Sequence, residues 1–301
     1  MVPAKTCVTL SLALLCAPVA LAAQDGFIRL GADLPSSTRA MALGGAHMMN
    51  GGQPDAVFQH PELLRSASGM SLDLQRWGDA GSATSASAAT SWFGGDMGVG
   101  LGLQTVQHTQ SSVTEPAGYF PQDPLFETAG AHISERSAVL GVAKAMGDVD
   151  WGLAVRLLEV RVGNAGKDSD VALAFGASRE VGPLTVGVAY RDILRSVSDL
   201  TIGVGTYGWE LGILDVGVSA RLEGFDDDVR YGGGVEVGYW PLRGRTFVAR
   251  VGAQNVPDAS EALPLTMGFA YWGDALVVEW AYQPFEDAPE GGTHRFSVGW
   301  R

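Results

Sequence analysis

The chain has 301 residues, a formal net charge of −13 at pH 7 and two cysteines. An acidic balance of this size argues against nucleic-acid binding, which needs a basic face; solvated acidic loops or an acidic recognition surface explain it instead. Because Cys7 and Cys16 both lie near the amino terminus, we expect no disulfide, thiol nucleophile or cysteine-based metal site in the rest of the chain.

Residues 1–22 have the pattern of a cleaved secretory signal. Lys5 precedes an apolar run from Cys7 to Leu21, which ends in the small-x-small sequence Ala20-Leu21-Ala22. The run is too short for a membrane-spanning helix, and no later stretch has the roughly 18 continuous apolar residues that such a helix needs. We therefore expect export, cleavage near Ala22 and no helical anchor.

Short segments with strand character fill the chain from Gly69 onward. Most have the length of about 9 to 11 residues that crosses a bilayer when the strand is tilted. We identify fourteen of them, each bounded by turn residues, at approximately 69–77, 83–92, 95–107, 134–146, 149–162, 169–180, 183–192, 200–206, 210–222, 229–240, 246–254, 263–272, 275–283 and 293–300.

Large apolar side chains alternate with small or polar ones along these segments. In the last one, Phe296, Val298 and Trp300 share a face, and polar or small residues stand between them. Successive side chains of a strand point to opposite faces, so lipid can contact one face and a lumen the other. A strand of a soluble sandwich has the same pattern. Alternation alone therefore leaves both architectures open.

The lengths of the connections favour the membrane barrel. An outer-membrane barrel has short turns on the periplasmic side and longer loops outside, and a sandwich has no reason to alternate in this way. The short connections lie around Gly94 and at 146–148, 181–182, 207–209, 241–244 and 273–274, and the long ones at 108–133, 163–168, 223–228, 255–262 and 283–292. We predict an all-β fold, a transmembrane antiparallel β-barrel of about 14 strands at 69–301, located in the cell outer membrane.

Residues 23–68 differ from the rest because they are rich in glycine and alanine without strand alternation. Ser36 and Ser37 are candidate caps of a short helix. The lumen of a fourteen-stranded barrel is wider than its own side chains fill, so we expect this segment to plug the barrel; a periplasmic tail is the alternative. Candidate plug residues are Arg39, Met41, Phe58, His60, Pro61, Leu63 and Leu64. Lumen-facing glycines would let the plug backbone approach the wall; they include Gly98, Gly100, Gly102, Gly187, Gly234, Gly238, Gly252 and Gly268.

Two further groups of residues are candidates for function. Charged residues on the expected lumen face should pair with each other or with the plug, or else line a charged conduit: Arg156, Arg191, Glu236, Arg250 and Glu279. The long connection at 108–133 has an aromatic, proline-rich tip, which suits contact with a partner or ligand; its candidates are Tyr119, Phe120, Leu125 and Phe126.

No catalytic or metal-binding pattern is evident. The five histidines show neither H-x-x-H nor H-E-x-x-H spacing. We therefore expect a protein that is not an enzyme and that has no catalytic residue, no metal and no cofactor.

Two stretches carry a resemblance to a known family. The run from Ser37 to Ala46 and the run from His60 to Leu64 resemble the N-terminal signature of the PorV/PorQ family, within the wider FadL-type superfamily. The closing residues 292–299 are similar to that family's ending, and the strands at 231–239 and 280–284 stand where relatives have comparable ones. Relatives usually carry Asn-Pro-Ala where this chain has His60-Pro61-Glu62, which puts any role of that Asn in doubt.

The resemblance implies two functional lines. PorV-like members are accessory barrels of type IX secretion that bind the C-terminal domain of exported cargo, which makes a non-enzymatic cargo-binding role our first expectation. FadL-like members move hydrophobic compounds across the outer membrane with the N-terminal segment as a hatch, which is the alternative. The expected partners are outer-membrane lipid, together with secreted cargo and secretion components or hydrophobic small molecules, and no nucleic acid.

Overall fold

A computed structural model describes residues 34–47, 49, 52–77, 81–109, 132–163, 166–193, 199–206, 208–225, 228–242, 245–256, 262–285 and 292–301. The predicted secretory signal and the loop candidates Tyr119, Phe120, Leu125 and Phe126 lie outside these ranges. No helix within them is long and apolar enough to cross a membrane.

Strands dominate the fold from Gly69 onward. They are β1 (Gly69–Trp77), β2 (Gly81–Trp92), β3 (Met97–Thr109), β4 (His132–Met146), β5 (Val149–Val162), β6 (Gly166–Val181), β7 (Leu184–Arg191), β8 (Asp199–Thr206), β9 (Trp209–Leu211), β10 (Leu214–Phe225), β11 (Asp228–Leu242), β12 (Arg245–Gln254), β13 (Leu265–Trp272), β14 (Leu276–Pro284) and β15 (Gly292–Trp300). A short 3₁₀ turn, Phe93–Gly95, joins β2 to β3.

The sheet closes into a barrel of fourteen antiparallel positions. Neighbouring strands pair in sequence order, and β15 returns to β1 with Trp300 opposite Met70. The strands β8 and β9 lie end to end along β10, with Gly205 opposite Ser219 and Trp209 opposite Val216, so together they occupy one position. The predicted all-β, fourteen-stranded transmembrane barrel is therefore confirmed.

Burial alternates along the strands as the pattern of side chains predicts. Leu101 and Leu103 point outward and are 49% and 52% exposed, whereas the lumen-facing Arg250 is 1% exposed. An outer surface built from large apolar side chains around a polar interior is the reverse of a soluble protein and fits a lipid environment.

Three connections differ from the sequence expectation. The reversal expected at 207–209 lies instead between Leu211 and Leu214, where Gly212 takes a φ of 71° and allows a tight hairpin. The long connections expected at 163–168 and 223–228 are both shorter. The strand β5 ends at Val162 and β6 begins at Gly166, while β10 ends at Phe225 and β11 begins at Asp228.

The segment before the barrel forms three short helical elements. They are α1 (Thr38–Ala42) and two 3₁₀ helices, Pro54–Phe58 and Pro61–Arg65. Ser37 caps α1, because its hydroxyl accepts a hydrogen bond of 3.0 Å from the amide of Ala40. A proline occupies the start of each 3₁₀ helix, where the missing amide hydrogen is not needed.

Candidate functional site

The described residues between 34 and 68, here called the plug, lie inside the barrel. The helix α1 packs against β12–β15, the first 3₁₀ helix against β1–β4, and the second against β2–β6. Val57, Leu63 and Leu64 of the plug form a buried apolar cluster with Val139 and Ala154 of the wall. The plug is thus anchored by apolar packing on the β3–β5 side of the lumen.

Glycines in the wall allow the plug backbone to come close. A Cβ on Gly98 would overlap the carbonyl of Leu64, and one on Gly252 would overlap the backbone of Leu43 and Gly44. Of the lumen-facing glycines predicted to permit this approach, all but Gly238 lie against plug atoms. Their missing side chains set the distance between plug and wall.

On the other side of the lumen, charged groups hold the plug. The guanidinium of Arg39 binds both carboxylate oxygens of Glu236, with distances of 2.9 and 2.6 Å. Arg250 bridges the two wall acids: its Nε lies 2.6 Å from Glu236 and its Nη2 2.8 Å from Glu279. These four candidate residues therefore form one buried network. The indole of Trp272 donates to Glu279 at 3.2 Å, and both guanidiniums lie over its ring.

Arg295 of β15 holds the start of the plug. Its guanidinium donates to the carbonyls of Pro35 at 2.5 Å and Ser36 at 3.0 Å, and to the carboxylate of Asp73 at 3.3 Å. The hydroxyl of Thr38 donates to the same carboxylate at 3.0 Å. The wall thus binds the backbone of the plug as well as its side chains.

The His60-Pro61-Glu62 sequence forms a compact internal contact. Nδ1 of His60 lies 2.9 Å from Oε1 of Glu62, and the carboxylate of Glu62 occupies the space that a side chain on Gly176 would fill. The ring of His60 is 5.3 Å from that of His47. Burial, together with the charges of His60 and Arg39, lowers the pKa of His47 well below its usual value. His47 is therefore neutral at pH 7.

The remaining candidates lie in separate places. Arg156 donates to the carbonyl of Phe58, which joins β5 to the plug. Arg191 instead pairs with Glu223 and Asp199 of neighbouring wall strands. Met41 packs with Ala42 and Ala281. No group of three or more His, Asp or Glu side chains in the described ranges is placed to hold a metal ion.

Several residues that shape the site were missing from the sequence candidates. Strand alternation places Asp73 and Arg295 on the lumen face, and that signal would have found them. Trp77 and Trp272, at the ends of β1 and β13, also contact interior groups. No sequence pattern could have identified Asp55 of the plug, because an irregular segment has no periodicity that predicts which of its residues are buried.

A chamber of about 420 Å³ lies on the short-turn side of α1. Asp55 reaches it from the plug, and Trp272 and Val248 from the wall. Burial, reinforced by the charge of Asp73, raises the pKa of Asp55 to about 7. The chamber is polar and acidic rather than an apolar pocket.

Comparison with known proteins places the fold. The toluene transporter TbuX of Ralstonia pickettii superposes with a TM-score of 0.56 at 13% identity, over 88% of this chain and 97% of that one. The fold is that of FadL-type outer-membrane barrels. A TodX monoaromatic hydrocarbon channel variant gives a TM-score of 0.58 at 10% identity, and a Pseudomonas aeruginosa FadL homologue gives 0.55 at 11%. The alignments cover 88% of this chain and 97% of each of those two chains. No family model matches the chain, and no curated protein matches it.

Proposed function

We propose that this protein is a gated outer-membrane channel for small hydrophobic compounds, with the plug as its gate. One observation carries the proposal. At the long-connection end of the barrel, Leu34 of the plug packs into a buried apolar cluster with Trp77, Ala83 and Val106, against which Phe285 also packs. A hydrophobic solute entering from that end would compete with Leu34 for its place in this cluster. The similarity in fold to hydrocarbon channels supports the same conclusion.

The covalent order of the plug suggests how a solute would open it. Leu34 directly precedes Pro35 and Ser36, whose carbonyls bind Arg295, and Arg39 follows within one turn of α1. A solute that replaces Leu34 in the cluster would pull on residues whose anchors are hydrogen bonds. Polar anchors can exchange for water more readily than an apolar core can be exposed, so this side of the plug is the one that moves.

A reversible lock on the plug tests this proposal. The side chains of Thr38 and Asp73 touch across the plug and the wall, so Thr38→Cys and Asp73→Cys together bring two thiols to this contact. Both native cysteines lie in the predicted signal. We expect cells that produce the oxidised double variant to lose uptake of radiolabelled toluene and to recover it after reduction.

Each single-cysteine variant is the matched control, because it carries the same substitution without the cross-link. Maleimide labelling before and after reduction reports whether the bond has formed. Undiminished toluene uptake with the bond demonstrably closed would rule out the plug as the gate.

The secretion-accessory role is a second candidate, which the PorV/PorQ resemblance of the plug sequence favours. It predicts that the purified barrel captures C-terminal domains of secreted cargo, and that the plug lock leaves this capture unchanged. Cargo capture without toluene uptake would favour this role, and uptake without capture would favour the channel.

A further inference from the structure

The chamber on the short-turn side of α1 contains more carboxylates than the neighbouring arginines bind. Its acidic lining residues are Asp55, Asp73, Asp215, Glu236 and Glu279. The guanidiniums of Arg39, Arg250 and Arg295 hydrogen-bond to three of them, Asp73, Glu236 and Glu279. Asp55 and Asp215 remain without an arginine.

Both remaining carboxylates have an oxygen without a partner. Asp55 is 2% exposed, and its Oδ2 makes no hydrogen bond to any atom in the described ranges. Asp215 is only partly buried, but its Oδ1 likewise makes no hydrogen bond within the described ranges and lies against Gly208 at the break between β8 and β9. An ionised carboxylate that is buried without a partner is strongly unfavourable, so a cation entering the chamber gains two acceptors.

The rest of the lining suits the apolar part of a ligand. Trp272, Val248 and Val277 line the same space. The ring of Trp272 already attracts cations, since the guanidinium of Arg301 lies 4.9 Å from its centroid. A volume of about 420 Å³ falls within the range of small-molecule sites.

We propose that this chamber binds a small organic ammonium compound. Its charged nitrogen lies in the part of the chamber that Asp55 and Asp215 line, and its apolar part lies against Trp272 and Val248. The inference goes beyond the channel proposal, because the site does not depend on which solute crosses the barrel.

Binding of the ammonium compound should be coupled to the release of a proton from Asp55. The groups that act on Asp55 are Ser37, Asp73 of β1 and Glu279 of β14; Arg39 of α1 and Asp215 of β10 line the same chamber. With its pKa at about 7, Asp55 is partly protonated at neutral pH, and a bound ammonium favours the ionised form. The ligand amine stays charged in this range because its own pKa is about 10. Affinity should therefore fall as the pH drops below about 7.

Calorimetry on the full chain in detergent tests the site, with benzylamine as the probe and benzyl alcohol as its neutral counterpart. We expect saturable benzylamine binding. Asp55→Asn and Asp215→Asn should each weaken it about tenfold, the loss expected for one charge-assisted contact. Asp148→Asn is the matched control, because Asp148 lies on a short turn outside the chamber with its side chain 69% exposed. It should bind like the parent.

Titration in two buffers of different ionisation enthalpy adds a second readout. The parent should release a proton on binding near pH 7, and Asp55→Asn should not. Should Asp55→Asn fail to fold, Asp215→Asn on the wall decides the question alone. Equal binding of the amine and the alcohol, or unchanged affinity in the folded variants, overturns the proposal.

Discussion

Arg39 of the plug binds Glu236 of β11 through two hydrogen bonds across 197 residues of sequence, and both side chains are buried. Glu236 also binds Arg250, so two guanidiniums share one carboxylate. The loss of Glu236 therefore breaks the contacts of two arginines, whereas the loss of Arg39 breaks the contacts of one.

Glu236→Gln should destabilise the folded barrel more than Arg39→Met does. The loss of Glu236 leaves two buried guanidiniums without their shared charge, a change of about 3–5 kcal/mol for a broken buried pair. Arg39→Met leaves Glu236 bound to Arg250 and should cost about 1–3 kcal/mol. Urea unfolding followed by heat-modifiable gel migration measures both. An equal loss in the two variants would contradict the shared-carboxylate network.

Gly98→Ala should displace the plug, whereas Gly238→Ala should not. A Cβ on Gly98 would overlap the backbone of Leu64, but one on Gly238 would lie 3.4 Å from the nearest atom, on Thr246. Limited trypsin digestion reports the result through cleavage after Arg65. We expect faster cleavage in Gly98→Ala only, and equal rates would show that the wall glycines do not set the position of the plug.

Asp55 should make the plug less stable as the pH rises. Its folded pKa of about 7 lies above the ordinary value of 3.8, so between these values the unfolded chain has lost a proton that the folded chain retains. The contribution of Asp55 to the free energy of unfolding is therefore greatest below about pH 4. It falls by up to about 1.4 kcal/mol per pH unit as the pH rises and levels off above about pH 7. His47, with its lowered pKa, has the opposite effect: below about pH 6.5 its contribution to stability falls as the pH falls.

The difference between the parent and Asp55→Asn isolates the Asp55 contribution, because His47 is present in both. Thermal unfolding from about pH 4 to pH 8 should show a stability gap in favour of the variant that widens with pH until about 7. A gap that is constant with pH would mean that the pKa of Asp55 is not raised.

Leu140→Arg should impair membrane assembly far more than Met146→Arg. Both side chains point outward from β4, at 55% and 56% exposure, but Leu140 lies in the middle of the strand and Met146 at its last residue. Arginine costs about 2–4 kcal/mol at the bilayer midplane and about 0–1 kcal/mol near the interface. Folding yield into lipid vesicles measures the difference. Similar yields would place the hydrocarbon band elsewhere on the barrel.

Strand order and facing could be predicted from the sequence because a barrel strand repeats every two residues, and lipid and lumen demand opposite side chains. The one misplaced reversal shows where this signal fails. Leu211-Gly212-Ile213-Leu214 has the apolar composition of a strand interior, yet Gly212 turns the chain there. Tyr207-Gly208-Trp209 has the composition of a turn, but Trp209 begins β9, which continues along β10 in the same barrel position as β8.

The sequence by itself determined a closed barrel with charged residues and glycines facing its lumen, since these follow from local periodicity. Only the tertiary structure decided that Arg39 meets Glu236, that Arg295 holds the backbone of Pro35 and Ser36, and that Asp55 faces a chamber with an unpartnered oxygen. Those contacts join an aperiodic segment to strands far away in sequence, and their geometry depends on how the closed wall and the plug fill the same space.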